Sequence, residues 1–371
     1  MKTKKTLGII LVVTLLFSIT ACGKRKEEDR VVVKEPGKSI TVIEDTGEET
    51  KEPVIAVEKI DKYEKMEITD WLDEDTVIVS KENDKLDKMS LAELSDNYPK
   101  SLYLFNINTG EYKPLKEQKD VFLGNAALSD DKKNLLYLEY TLGDPVFYVM
   151  NLDTRDAFGI MGDKIGGAMS GSWGGNEVIG AAYSGGAYLA DAKGKISLIE
   201  ELKDDGMLFV IRKVKDNVYY NTSSDESLIM LNLTTKEKTN LNLEHVYNVI
   251  PSPGGDKLLV LQNNGSKQMM IVCNADGSDK KIIAEGTELG GVSWSQDQRM
   301  IAYSLKSVVN GSAVSGLYIY DMLTDESSQI AVDIQNVIST SWSPSGEKLI
   351  YSWNSEQFNS NIVYLKYTLE K

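Results

Sequence analysis

The residues able to do acid–base, nucleophilic or metal chemistry are few and scattered. His245 is the only histidine, which excludes a multi-histidine metal site and leaves a His-Asp-Ser relay a single possible base. It falls between two of the repeated units described below, where a loop or strand-edge histidine accounts for it. No serine stands in a Gly-x-Ser-x-Gly sequence, the strained elbow that presents a hydroxyl nucleophile. Cys273 ends the apolar run Met269-Met270-Ile271-Val272 and reads as a small core residue rather than a reactive thiol. Gly37-Lys38-Ser39 has the end of a phosphate loop, but Val32 occupies the position of its first glycine. Asp276-Gly277-Ser278-Asp279 offers oxygen groups without the twelve-residue spacing and bidentate glutamate of a calcium loop, so a hairpin turn explains it. Neither catalytic residues, nor a metal site, nor a cofactor is expected.

Cys22 is the exception. Lys2, Lys4 and Lys5 precede an apolar stretch from Leu7 to Phe17, which ends in Ser18-Ile19-Thr20-Ala21-Cys22-Gly23. The stretch is shorter than the ~20 residues a membrane-spanning helix needs and matches the apolar region of an export signal. Ile19-Thr20-Ala21-Cys22 resembles the bacterial lipobox. That resemblance implies cleavage after Ala21 and a diacylglyceryl group on the Cys22 sulfur, with two or more acyl chains making anchorage stable. Residues 1–21 are therefore expected to be a lipoprotein signal peptide. Residues 22–53 are rich in charge, as in Glu44-Asp45-Thr46-Gly47-Glu48-Glu49, and poor in large apolar groups, so a disordered tether is expected there. The remaining segment, 54–371, is expected to be the folded body, held outside the cytoplasm by the anchor.

Loss of the three signal-peptide lysines takes the formal charge from −15 to −18. Such an acidic surface repels phosphate backbones, which excludes nucleic-acid binding, and it favours a soluble monomer. With 42% hydrophobic residues most of the chain can still bury a core.

What must position any site is a repeat with a period of 40 to 47 residues. One part is an apolar strand followed by a polar turn: Tyr103-Leu104-Phe105-Asn106-Ile107-Asn108-Thr109-Gly110. It returns at Tyr148–Thr154, Tyr188–Asp191, Ile229–Thr235, Ile271–Gly277, Tyr318–Asp321 and Tyr364–Tyr367. A second part lies upstream of each and is clearest at Ser341-Trp342-Ser343-Pro344-Ser345-Gly346 and Ser293-Trp294-Ser295-Gln296-Asp297-Gln298. Weaker copies start at Trp71, Leu128, Trp173, Lys213 and Pro251. Turn formers in the middle of each copy predict a tight hairpin, so each unit supplies four strands. A single four-stranded sheet cannot bury both faces, whereas sheets packed radially cover one another.

The tryptophan, the Ser-Pro-Asp-Gly-like turn and the following Ile301-Ala302-Tyr303 strand resemble the TolB-type (WD40-like) propeller repeat over about residues 66 to 368. The chain is similar in this respect to lipoproteins of Gram-positive bacteria that carry such a propeller. The fold expected is all-β: a β-propeller of seven four-stranded blades, with six as the alternative. The last unit contains only three strands, so Val54-Ile55-Ala56-Val57-Glu58-Lys59-Ile60 is expected to supply the fourth and close the ring through both chain ends.

In such a fold the loops between second and third strands share a face with the inter-blade loops, and recognition is expected there. The candidate ligand face takes in Tyr140, Tyr183, Asn310, Trp353 and Asn354, since aromatic and amide groups on a rigid frame suit glycan or protein surfaces. The glycines between Gly162 and Gly186 mark either close backbone approach or a widened channel. A membrane-anchored recognition or scaffold module for a protein or envelope polymer is the expected function. The alternative is a lyase or hydrolase that uses carboxylates near the axis.

Overall fold

Runs of β-branched and aromatic residues bounded by turn formers make strands, and the computed structural model is built of little else. It describes residues 30–35, 38–43, 55–309, 311–334, 337–354 and 357–367. Helix among these is limited to two 3₁₀ turns, Ala92–Leu94 and Glu200–Leu202. The chain divides into two units, Met1–Glu52 and Pro53–Lys371. Cys22 and Ala21 lie outside the described residues.

In the first unit β1 (Arg30–Glu35) and β2 (Lys38–Ile43) pair antiparallel, from Arg30↔Ile43 to Glu35↔Lys38. Charge alone predicts no order between 22 and 53. The hairpin arises because Val31-Val32-Val33 and Ile40-Thr41-Val42-Ile43 concentrate strand-forming residues on either side of Pro36-Gly37.

The second unit opens with β3 (Ile55–Tyr63) and continues as four-stranded antiparallel meanders, numbered I to VII in chain order. Meander I is β4 (Met66–Trp71), β5 (Thr76–Glu82), β6 (Lys100–Asn106) and β7 (Tyr112–Lys116). Meander II is β8 (Phe122–Leu128), β9 (Asn134–Tyr140), β10 (Val146–Asn151) and β11 (Ala157–Gly159). Meander III is β12 (Ser172–Trp173), β13 (Glu177–Ala181), β14 (Ala187–Asp191) and β15 (Ile196–Leu198). Meander IV is β16 (Leu208–Val214), β17 (Asn217–Thr222), β18 (Ile229–Asn232) and β19 (Lys238–Asn240). Meander V is β20 (Val246–Pro251), β21 (Lys257–Asn264), β22 (Lys267–Asn274) and β23 (Lys281–Gly286). Meander VI is β24 (Glu288–Trp294), β25 (Met300–Val309), β26 (Ser312–Asp321) and β27 (Glu326–Val332). Meander VII takes β28 (Val337–Trp342), β29 (Lys348–Asn354) and β30 (Phe358–Tyr367), and its fourth strand is β3, paired from Ile55↔Tyr367 to Tyr63↔Ser360. The pairing expected of the apolar segment before the first unit is thus present. Meanders I and II join into one eight-stranded sheet through a single parallel bridge, Lys100↔Phe122.

The repeat motif has a physical role in each turn. Ser129, Ser252, Ser295 and Ser343 accept, through Oγ, the backbone N–H five residues on, at 2.8–3.1 Å, which fixes the hairpin between first and second strands. The tryptophan that ends the first strand does the same between sheets. The indole of Trp173 donates to the Ala127 carbonyl, that of Trp294 to Ile250, that of Trp342 to Ser293 and that of Trp71 to Ser341. Each bond reaches the first strand of the preceding meander, and for Trp71 that meander is VII.

The core is correspondingly divided. Buried apolar side chains form clusters shared by consecutive meanders, such as Ile78 and Leu102 with Leu123 and Tyr137, or Met300 and Ile319 with Trp342 and Leu349. The last and first meanders share one as well: Ile350 and Ile362 pack with Ile68, Trp71, Val77 and Val79. Cys273 is buried in the cluster between meanders IV and V.

Candidate recognition cleft

Antiparallel order places the ends of second strands beside the starts of third strands and of the next first strand. At meanders VII, I and II this brings together Asn354 at the end of β29, Phe358 at the start of β30, Lys100 at the start of β6, Phe122 at the start of β8 and Tyr140 at the end of β9. These residues line a cleft of about 380 Å³. The long connection between Glu82 and Lys100 forms part of its wall through Leu94 and Asn97. That connection is tied down by buried Met89 and by Asn83, whose amide donates to Ser101 Oγ at 3.1 Å and Glu117 Oε1 at 2.9 Å.

The cleft is aromatic and charged together. Phe122 and Tyr140 lie with ring centroids 5.6 Å apart. The Lys100 ammonium sits 4.4 Å from the Phe358 centroid and 5.8 Å from that of Phe122, within range of a cation–π attraction. Behind it Glu67 is only 6% exposed. Burial pushes the Glu67 carboxyl above its ordinary value, and the Lys100 charge and the Asn125 backbone N–H offset part of that rise. Burial pushes Lys100 down, opposed by Glu67 and Glu82. Tyr140 is raised to about 12, by burial and then by Glu67. Gly124 makes room for this set: a Cβ there would lie 3.5 Å from both Glu67 Oε2 and Tyr140 Cε1. A shielded carboxyl beside a shielded ammonium is the kind of arrangement that concentrates at functional sites.

Of the five residues read from the sequence as a ligand face, the structure brings Tyr140 and Asn354 to this cleft. Trp353 goes elsewhere, because neighbours along a strand point to opposite faces. It stacks on Tyr351 at 5.6 Å and lines a separate cavity of about 540 Å³ with Tyr63, Asn359 and Asn361. Tyr183, 47% exposed, lies over Gly166-Gly167 in meander III and is not among the cleft residues. Asn310 lies outside the described residues. Phe358, an aromatic of the Trp353–Phe358 stretch read from the sequence as part of that face, is in the cleft too; the sequence does not mark Lys100, Phe122 and Glu67, although aligning the starts of first strands across the repeat marks Phe122.

The remaining sequence candidates find ordinary places. His245 is exposed, in left-handed backbone, with Nδ1 3.1 Å from Glu226 Oε2. The Cys273 thiol is pushed up to about 11 by burial, which suppresses thiolate. Asp276 accepts the Ser278 N–H at 2.9 Å in a hairpin turn. The meander III glycines that line its inner strand serve close approach rather than a wider channel. A Cβ on Gly180 would meet the Ser170 carbonyl oxygen, and one on Gly171 would lie 3.0 Å from the Phe147 ring. On the opposite face, first strands of meanders I, II, V, VI and VII surround a well of about 420 Å³. Its one strand carboxylate, Asp70, accepts from the backbone N–H groups of Trp71 at 2.8 Å and Leu128 at 2.9 Å. The described residues contain no group of three or more His, Cys, Asp or Glu placed to hold a metal.

No family model matches the chain, and no curated protein does. Among solved structures it is similar to an oligogalacturonate lyase from Vibrio parahaemolyticus, with a TM-score of 0.59 and 11% identity over 82% of this chain and 91% of that one. It is similar to an oligogalacturonate lyase in complex with manganese, with a TM-score of 0.57 and 12% identity over 83% and 91%. It is also similar to the β-propeller domain of Myceliophteria thermophila Cps50 (Swd1), with a TM-score of 0.55 and 11% identity over 84% and 99%. At such identities the likeness is one of fold, and the fold is an all-β propeller.

Proposed function

We propose that this chain is a lipid-anchored, extracytoplasmic recognition module. Its body is a ring of seven blades closed through β3, and it acts as a monomer that binds a protein or envelope polymer. In support of closure, the Trp71 indole reaches Ser341 across meanders VII and I as Trp342 reaches Ser293 across VI and VII. Export and anchoring rest on the Leu7 to Phe17 stretch and on Cys22.

The observation that carries the binding role is the cleft at meanders VII, I and II. There Tyr140, Phe122 and Phe358 offer ring faces and Asn97 and Asn354 offer amides; all but Asn97, which belongs to the connection before β6, sit on strands. Aromatic faces with amides at the rim suit a sugar ring or an extended peptide. The test is capture of envelope components by the purified chain, compared with Tyr140→Ala and Asn354→Ala. Binding is expected to weaken about tenfold or more for Tyr140→Ala, on the scale of an aromatic interface anchor. Equal capture by all three would end this assignment of the cleft. In cells, Cys22→Ser is expected to move the protein from the membrane fraction to the soluble one.

An enzymatic reading draws on one observation, the shielded Glu67–Lys100 pair. Two of the structures similar to this chain are oligogalacturonate lyases, one of them with manganese. Turnover of an anionic glycan that is lost in Glu67→Gln would favour this second reading over simple recognition.

A further inference from the structure

The first strand of meander IV, β16, carries Arg212 midway along its length. Within the sheet this strand pairs with β17, Arg212 standing opposite Tyr219. Its other edge is unpaired and lies at the centre of the ring of first strands, between β12 and β20. The guanidinium makes two hydrogen bonds among the described residues. Nη1 donates to the Ile211 carbonyl at 2.8 Å, and Nη2 to Asn248 Oδ1 of meander V at 3.3 Å. Of the five N–H donors in this rigid fork, three are thus without a partner among the described residues.

Among the described residues no carboxylate answers this charge. Arg299, by contrast, forks onto Asp321 at 2.6 Å. Burial alone acts on Arg212, pushing it down, with no neighbouring acid to raise it. The nearby Lys213 and Glu177 are occupied with each other at 3.4 Å, and Lys213 also donates to the Gly174 carbonyl at 3.2 Å. Asn248 is held in place because its Oδ1 also accepts the Val249 N–H at 3.0 Å. On the other side of β16, in β12, the Ser172 hydroxyl is buried without a partner among the described residues. A partly buried guanidinium with spare donors and a buried hydroxyl left open leave room for a partner not made of protein. Ile250, two residues along β20 from Asn248, lines the axial well, so solvent comes within about 7 Å along the strand.

We propose that Arg212 anchors an axial site for a small oxyanion, a tetrahedral phosphate or a carboxylate. The Arg212 fork takes the oxygens, and Asn248 orients the fork. This site is separate from the cleft at meanders VII, I and II, and it operates whichever ligand that cleft takes.

The test is thermal unfolding of the full chain at constant ionic strength, with sodium phosphate or sodium acetate replacing sodium chloride. The wild type is expected to gain melting temperature saturably with at least one anion. Phosphate alone identifies a tetrahedral site, and acetate alone or both anions a carboxylate-accepting one. Arg212→Gln is expected to need at least tenfold more anion for the same gain. In chloride it is expected to melt no earlier than the wild type, because it removes a partly buried charge that no acid balances. Arg212→Lys, which keeps the charge and loses the fork, is expected to respond more weakly than the wild type. The proposal is overturned by a wild type without a saturable gain for either anion, or by an Arg212→Gln chain that responds as the wild type does. If Arg212→Gln does not fold, a wild-type response in Arg212→Lys overturns it.

Discussion

At the scale of single residues, Glu67 is the most informative position. Its carboxyl is held above an ordinary value of 4.5, chiefly by burial. A raised folded pKa means that the native state prefers the protonated form. The associated stability is complete below the unfolded pKa and is lost as pH climbs through the folded one. Relative to Glu67→Gln, the wild type should therefore lose stability on going from pH 4 to pH 7. Urea midpoints of the two proteins at pH 4, 5.5 and 7 measure this, and a gap that stays constant would contradict it. Neither Glu67 nor Lys100 stands out in the sequence, where Glu67 is one of 56 acids and Lys100 one of 41 bases. What distinguishes them is shielding by Tyr140, Phe122 and Phe358, and those residues come from strands far apart in the chain.

Among elements, β3 matters more than its position suggests. It is the fourth strand of meander VII although its residues pair with partners near the other end of the chain, from Tyr63↔Ser360 to Ile55↔Tyr367. Without it the edge of β30 would be open to other chains. Deleting 55–63 removes the burial of Ile55 and much of that of Ile60, each worth about 1.5–3 kcal/mol, and exposes that edge. A loss of at least about 3 kcal/mol, together with higher-order species on size exclusion, is expected from burial and edge exposure combined. A monomer as stable as the wild type would show the strand to be dispensable. The role of β3 was legible because the last repeat ends one strand short while an apolar segment stands unassigned before the first. The β1–β2 hairpin was not legible from charge, since the strand-forming valines and isoleucines lie inside a highly charged stretch.

For the whole molecule, closure makes a prediction that an open stack does not. If all interfaces are equivalent, Trp71→Phe and Trp342→Phe each lose one indole donor and leave one carbonyl, Ser341 or Ser293, without it. Each should then cost about 1–2 kcal/mol in chemical denaturation, within a single cooperative transition. A near-neutral Trp71→Phe beside a costly Trp342→Phe would mean that the ends of the ring do not support each other.

The repeat itself was determined by the sequence. Tryptophan, serine turn and apolar strand recur at a spacing set by local chemistry, and a sheet with two greasy faces has few ways to be covered other than by its own copies. The residues of the expected face separated only in three dimensions: strand alternation sends Trp353 and Asn354 to opposite sides, and Tyr140 shares a cleft with Lys100 because two meanders touch through one bridge. Arg212 is the extreme case. Its residue type promises an ion pair, and only the tertiary arrangement, which brings it the Asn248 amide and, among the described residues, no acid, leaves its charge unanswered.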